Sequence, residues 1–112
     1  MTHAEFVQMA KDTAILCAYD HFAEGEPPAP PFLVYYIAGS DNFYADGELY
    51  GRISNFVMEL YTDVKEPPLE HQVESVLASQ DVLWNKTEGW LEAERLYEVR
   101  YDFQEYQEVD DA

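Results

Sequence analysis

Positive charge is scarce in this sequence. Six lysines and arginines stand against 23 aspartates and glutamates, a formal net charge of −17. Lys11, Arg52, Lys65, Lys86, Arg95 and Arg100 are spread along the chain and form no patch. A solvent-facing nucleic-acid site is excluded on that ground, because phosphate contacts need clustered cations. Cysteine is nearly absent: Cys17 stands alone, which excludes a disulfide framework and a thiolate metal knuckle. No apolar run reaches the roughly 18 residues of a membrane span, and no signal peptide is visible. Assembly in the cytosol without membrane contact is therefore expected. A glycine-rich phosphate loop is lacking as well.

What is present describes a folded domain. The 112 residues are 47% apolar and 15% aromatic, which argues against disorder despite the charge. A chain of this length holds one core and is too short for two. We expect a single α+β domain over residues 1–105 and a flexible acidic tail over 106–112.

The organising stretch is Phe56-Val-Met-Glu-Leu-Tyr-Thr62. In an extended chain Phe56, Met58 and Leu60 share one face, while Val57, Glu59 and Tyr61 share the other. That pattern predicts an internal strand with one apolar face and one half-wet face. Phe32 to Ala38 is its expected antiparallel partner, joined to it by a turn over Ser40–Gly47. Before this hairpin, Thr2 and Glu5 have capping-box spacing. Phe6, Ala10, Ala14 and Cys17 then recur at helical intervals, widened by Val7 and Ala18, and predict a helix to about His21. Pro27, Pro28, Pro30 and Pro31 form a stiff connector.

After the hairpin, Glu66-Pro67-Pro68 opens a second helix. Leu69, Val73, Val76 and Leu77 make its apolar stripe, Glu70, Gln72, Glu74 and Ser75 its wet side, and Gln80-Asp81 ends it. Val82–Thr87 reads as a third strand and Thr87–Glu94 as a connection holding Trp90. In the last strand Tyr97, Val99, Tyr101 and Phe103 alternate with Glu98, Arg100, Asp102 and Gln104. The expected order is α-β-β-α-β-β: an antiparallel sheet of about four strands with two helices on one face.

Catalytic, cofactor and metal sites find no support. Glu92 with Glu94, and Asp41 with Asp46, read as solvated turn and strand-edge residues. The Asp41–Gly47 segment is no calcium loop, because Phe43 stands where an oxygen ligand is needed. His3, His21 and His71 lack metal-ligand spacing, and His71 falls on the wet side of the second helix. Cys17 on an apolar stripe reads as a small buried hydrophobe. Asn85-Lys-Thr87 matches a glycosylation pattern that has no meaning in a cytosolic protein. No enzymatic activity is expected. The nine tyrosines supply flat, amphipathic area of the kind found at interfaces. Tyr35, Tyr36, Tyr61, Tyr97 and Tyr101 read as strand residues, whereas Phe43, Tyr44, Tyr50 and Trp90 are expected to touch another subunit.

Pro30-Pro-Phe-Leu-Val-Tyr-Tyr36, Ser40-Asp-Asn-Phe-Tyr-Ala-Asp46, Glu59-Leu-Tyr-Thr-Asp-Val-Lys65, Leu69-Glu70, Val73-Glu-Ser-Val-Leu77 and Trp90-Leu-Glu-Ala-Glu-Arg-Leu-Tyr97 with Tyr101 resemble a family of small phage and prophage proteins. These are encoded among the head-completion and tail genes of long-tailed phages of Gram-positive hosts. The resemblance is one of order and spacing over residues 15–104. It implies a virion structural protein of the head-to-tail connection, a tail terminator that forms a hexameric ring on the tail tube. The implied partners are further copies of the chain, the major tail tube protein, and a head-completion or neck protein, with DNA only as passing cargo. Such a protein would assemble in the host cytoplasm and end in the virion. A ring that passes DNA benefits from a negative inner wall, and Glu98, Asp102 and Glu105, or the acidic tail, are expected to line it. The charge also exceeds what the family requires, and it allows a different reading: an acidic DNA mimic that inhibits a host DNA-binding enzyme.

Overall fold

The computed structural model describes residues 1–22, 28–45 and 48–108, the side chains of residues 43–51 excepted. Helix α1 covers His3–Asp12. Its N-terminus is closed by the expected capping box, with the Glu5 N–H donating to Thr2 Oγ1 at 3.1 Å and the Thr2 N–H donating to Glu5 Oε1 at 3.0 Å. The helix is half the expected length. Buried Thr13 turns its hydroxyl back to the Ala10 carbonyl at 2.6 Å, and Ala14 adopts φ 62°. Cys17–Tyr19 then form a short strand, β1, parallel to the next strand in register Cys17↔Leu33 to Tyr19↔Tyr35. The alanine spacing mimics a helical stripe, but the open backbone edge opposite Leu33–Tyr35 captures the segment. Cys17 consequently sits half-buried in a strand and not on a helix, and burial pushes its thiol pKa up against the lowering effect of Lys11.

Strands β2 (Phe32–Ala45) and β3 (Glu48–Thr62) form the long central hairpin. Their antiparallel register runs from Phe32↔Tyr61 to Ala45↔Glu48, with irregularities at Ile37/Gly39 and Phe43/Tyr44. The turn expected over Ser40–Gly47 is therefore mostly strand. Asp41 and Asn42 are compatible with it because both residues are exposed. Asp46 and Gly47 lie outside the described residues.

Helix α2 covers Pro67–Ser79, with its prolines in the first turn as expected. Strand β4 runs Trp84–Leu91, longer and later than the expected Val82–Thr87, so Trp90 belongs to a strand. A turn ending at Arg95, φ 53°, leads into β5, Leu96–Tyr106. The described residues thus hold two helices and one five-stranded sheet, ordered β1-β2-β3-β5-β4. Expectation and structure agree on an α+β class with two helices. They differ by one strand, β1, whose parallel pairing could not be read from local periodicity. No helix among the described residues is long and apolar enough to cross a membrane.

Both helices cover the same sheet face. Phe6 from α1 and Val73 and Leu77 from α2 share one core with Leu33, Tyr35, Phe56, Met58, Leu60, Val99, Tyr101 and Phe103. Phe6 is the wedge: its ring meets Tyr35, Phe56 and Phe103 edge-on at 5.5, 4.8 and 6.2 Å. Gln107 and Glu108 are tied in as well, since the Gln107 N–H donates to the Arg52 carbonyl at 2.7 Å and the Glu108 N–H to the Met1 carbonyl at 3.1 Å. Residues 109–112 lie outside the described residues. Phe6→Ala would leave a cavity under three strands, and we expect a loss of about 3–5 kcal/mol. Denaturant unfolding monitored by tryptophan fluorescence measures it, and a cost below 1 kcal/mol would contradict the wedge.

Candidate functional site

Two polar arrangements and the exposed Trp90 stand out among the described residues. The first lies on the sheet face that neither helix covers. Alternation sends Tyr36 from β2, Asn55, Glu59 and Tyr61 from β3, Glu98, Arg100, Asp102 and Gln104 from β5, and Asn85 from β4 to this side. Across the strands Tyr61 faces Glu98, Glu59 faces Arg100 and Asn55 faces Gln104. The Tyr61 hydroxyl lies 2.8 Å from both Glu59 Oε2 and Glu98 Oε2. Burial pushes the Tyr36 hydroxyl up to about 12, helped by its hydrogen bond to Glu59, and pushes Tyr61 higher still, helped by Glu59 and Glu98. Toward the other end, Gln104 Nε2 donates to Asn55 Oδ1 at 2.8 Å and to Asp41 Oδ2 at 3.0 Å. Asn55, Leu83, Asn85, Asp102 and Gln104 border an open depression of about 400 Å³ there. Leu83, 91% exposed, forms its rim.

The second arrangement lies under α2. Glu70, expected on the wet side of that helix, is 2% exposed. Its Oε1 accepts from Lys65 Nζ at 2.8 Å and lies 2.7 Å from Lys86 Nζ, while Oε2 is buried without a partner. Lys65 also reaches Glu88 at 2.7 Å, and Lys86 reaches Glu74 at 3.0 Å. The Tyr101 hydroxyl donates to Glu74 Oε2 at 2.8 Å. Hydrogen bonds to Glu70 and Glu88 hold the Lys65 pKa well above the usual lysine range. Glu74 is pushed up by burial, but its bonds from Lys86 and Tyr101 prevail and hold it low. The cluster joins α2 to β4 and is closed by its own ion pairs, so it serves as a clamp. The helical stripe of α2 concealed it, because Glu70 is buried by lysines that come from other elements.

The residues expected at subunit contacts fall in two places. The backbones of Phe43, Tyr44 and Tyr50 belong to the distal part of the β2–β3 hairpin, and their side chains lie outside the described residues. Trp90 is 46% exposed near the end of edge strand β4, and its Nε1 donates to Glu92 Oε2 at 2.6 Å. The expected acidic trio is divided. Glu98 and Asp102 share the uncovered face on either side of Arg100, whereas Glu105, one residue out of phase, points to the helix side. Sequence reading passed over Glu59 and Tyr61 as partners of Glu98. Their i, i+2 spacing was visible, but the register that brings Glu98 beside them was not.

No family model matches the chain, and no curated protein sequence matches it. By structure it is similar to a chain from the virion of the native gene transfer agent (GTA) particle. The TM-score is 0.58 at 10% sequence identity, over 92% of this chain and 89% of that one. The likeness extends over nearly the whole of both chains and shows a shared fold.

Either lysine alone supplies Glu70 with a charge-assisted partner. We therefore expect Lys65→Met and Lys86→Met to cost about 1 kcal/mol each and the double variant about 3–5 kcal/mol. A double-mutant cycle in urea checks this, and strict additivity would remove the shared-partner account.

Proposed function

We propose that this chain is a structural protein of a phage-like virion, acting at the head-to-tail connection as a tail terminator. The observation that carries the reading is the end-to-end likeness to a chain from a gene transfer agent virion. Within the reading, copies of the chain close into a ring, a hexamer, on the end of the tail tube. The ring stops tube growth and presents its other side to a head-completion or neck protein. It assembles in the host cytoplasm, is carried in the virion, passes DNA as cargo and needs no catalysis.

Two features support ring formation. The distal hairpin extends beyond β5, giving a molecule 50 Å long and about 30 Å across. An isolated two-stranded ribbon is marginal in water, so this one gains from a neighbour. The β4 edge on the opposite side of the sheet is exposed along most of its length and carries Trp90. Two different surfaces on opposite sides are what a heterologous, closing contact requires. The −17 charge supports a lumen that repels DNA, with Glu98 and Asp102 as its wall residues.

Electron microscopy of lysates carrying an early stop codon in this gene tests the reading. Unattached full heads beside tails of uncontrolled length are expected. Tails of normal length beside full heads would assign the chain to a joining or neck role. Normal, infectious particles would remove the virion reading and leave the acidic DNA mimic, whose binding to a host enzyme must weaken with salt. Supplied to the same lysates, Trp90→Ala should fold normally and reduce joined particles at least about tenfold, as truncation of an interface aromatic does. Full rescue by that variant would take Trp90 out of the contact.

A further inference from the structure

The contacts around Tyr61 pose a question of proton count. Its hydroxyl is 2.8 Å from Glu59 Oε2 and 2.8 Å from Glu98 Oε2. A phenol carries one proton and an ionised carboxylate carries none. With both glutamates ionised, one proton would have to serve two contacts, and at one of them a carboxylate oxygen would meet the phenol oxygen lone pair to lone pair. We propose that Glu59 and Glu98 hold one proton between them in the folded protein, making the uncovered face of β3 and β5 a pH-sensitive switch that opens when that proton leaves to water.

Register builds the site. Glu59 stands opposite Arg100 and Tyr61 opposite Glu98, so the two glutamates are diagonal neighbours on one face. The proton resides on Glu98. Burial raises both carboxyls, but Glu59 also receives hydrogen bonds from Tyr36, Glu98 and Tyr61 and the charge of Arg100, which together hold it low. At Glu98 the negative Glu59 adds to burial and outweighs Tyr61 and Arg100. Among the described residues, the groups facing the pair are Tyr36 from β2, Tyr61 from β3, and Arg100 and the more distant Asp102 from β5. Arg100 Nε lies 3.8 Å from Asp102 Oδ2 and divides its attraction between the acids. From β4, Thr87 stands opposite Arg100 and Gly89 opposite Glu98, and neither titrates. No helix covers this side.

Loss of the proton places two like charges in contact. Glu98 turns to solvent, and Tyr61 keeps Glu59 alone. The Tyr61 ring stacks on Phe32 at 5.1 Å, and Phe22 meets Phe32 edge-on at 5.4 Å. The raised pKa of Glu98 contributes stability below its unfolded value, lost as pH rises through its folded value. The lowered pKa of Glu59 contributes above its unfolded value and is lost as pH falls through its folded value. The singly protonated pair is favoured between those limits.

The test is an NMR titration of the glutamate carboxyl carbons in the isotope-labelled full chain, independent of any virion role. One glutamate is expected to titrate above the ordinary carboxyl range, and its resonance should vanish in Glu98→Gln. Glu59→Gln removes the like charge and should lower the Glu98 midpoint, leaving the part that burial causes. Wild-type glutamates that all titrate in the ordinary range would overturn the proposal. So would a raised midpoint that survives Glu98→Gln.

Discussion

The register of β3 is the constraint on which the remainder depends. This strand has partners on both edges, β2 along nearly its whole length and β5 from Ile53 to Thr62. Because side chains alternate, a slip of one residue would exchange Phe56, Met58 and Leu60 with Val57, Glu59 and Tyr61. The core would then receive a carboxylate and a phenol that have no partners there. Burial of the first set fixes where β2 and β5 stand, and through β5 where β4 stands. The helices follow, because Phe6, Val73 and Leu77 need the apolar face that this register creates.

The same constraint accounts for the concentration of polar chemistry on the opposite face. That side has no helix to cover it, so its side chains satisfy one another across the strands. Tyr36, Glu59, Tyr61, Glu98 and Arg100 form one group, and Asp41, Asn55, Gln104, Asn85 and Asp102 another. The first lies near the end of the sheet where Phe22 packs on Phe32, while the second surrounds the open depression. A proton exchanged in the first group changes the charge of a surface that the ring reading places toward DNA or a neighbouring virion protein. The buried Glu70 clamp has a separate task. It anchors α2 to β4 with charges that pair internally, and leaves the uncovered face free for contacts.

Much of this fold was legible in the residues. The alternations in β3 and β5, the capping box of α1 and the paired prolines of α2 each carry a short-range signal, and each appears as read. What was misread had a local pattern that a distant partner overrode. Ala10, Ala14 and Cys17 have helical spacing, yet the free edge of β2 draws Cys17–Tyr19 into a parallel strand. Ser40–Ala45 has turn chemistry, yet pairing with β3 extends the hairpin through it. Glu70 lies on the polar side of a helical wheel, yet Lys65 and Lys86 make its burial tolerable.

By itself the sequence determined the α+β class, the apolar face of each main strand, the single core and the acidic character of the surface. These follow from period and composition, which act within a few residues. Only the tertiary structure decided the parallel fifth strand, the separation of Glu105 from Glu98 and Asp102, the clamp around Glu70 and the meeting of Glu59 and Glu98 on Tyr61. Each depends on which segments lie side by side across tens of residues, and hydrogen-bond register between strands leaves no mark in local spacing.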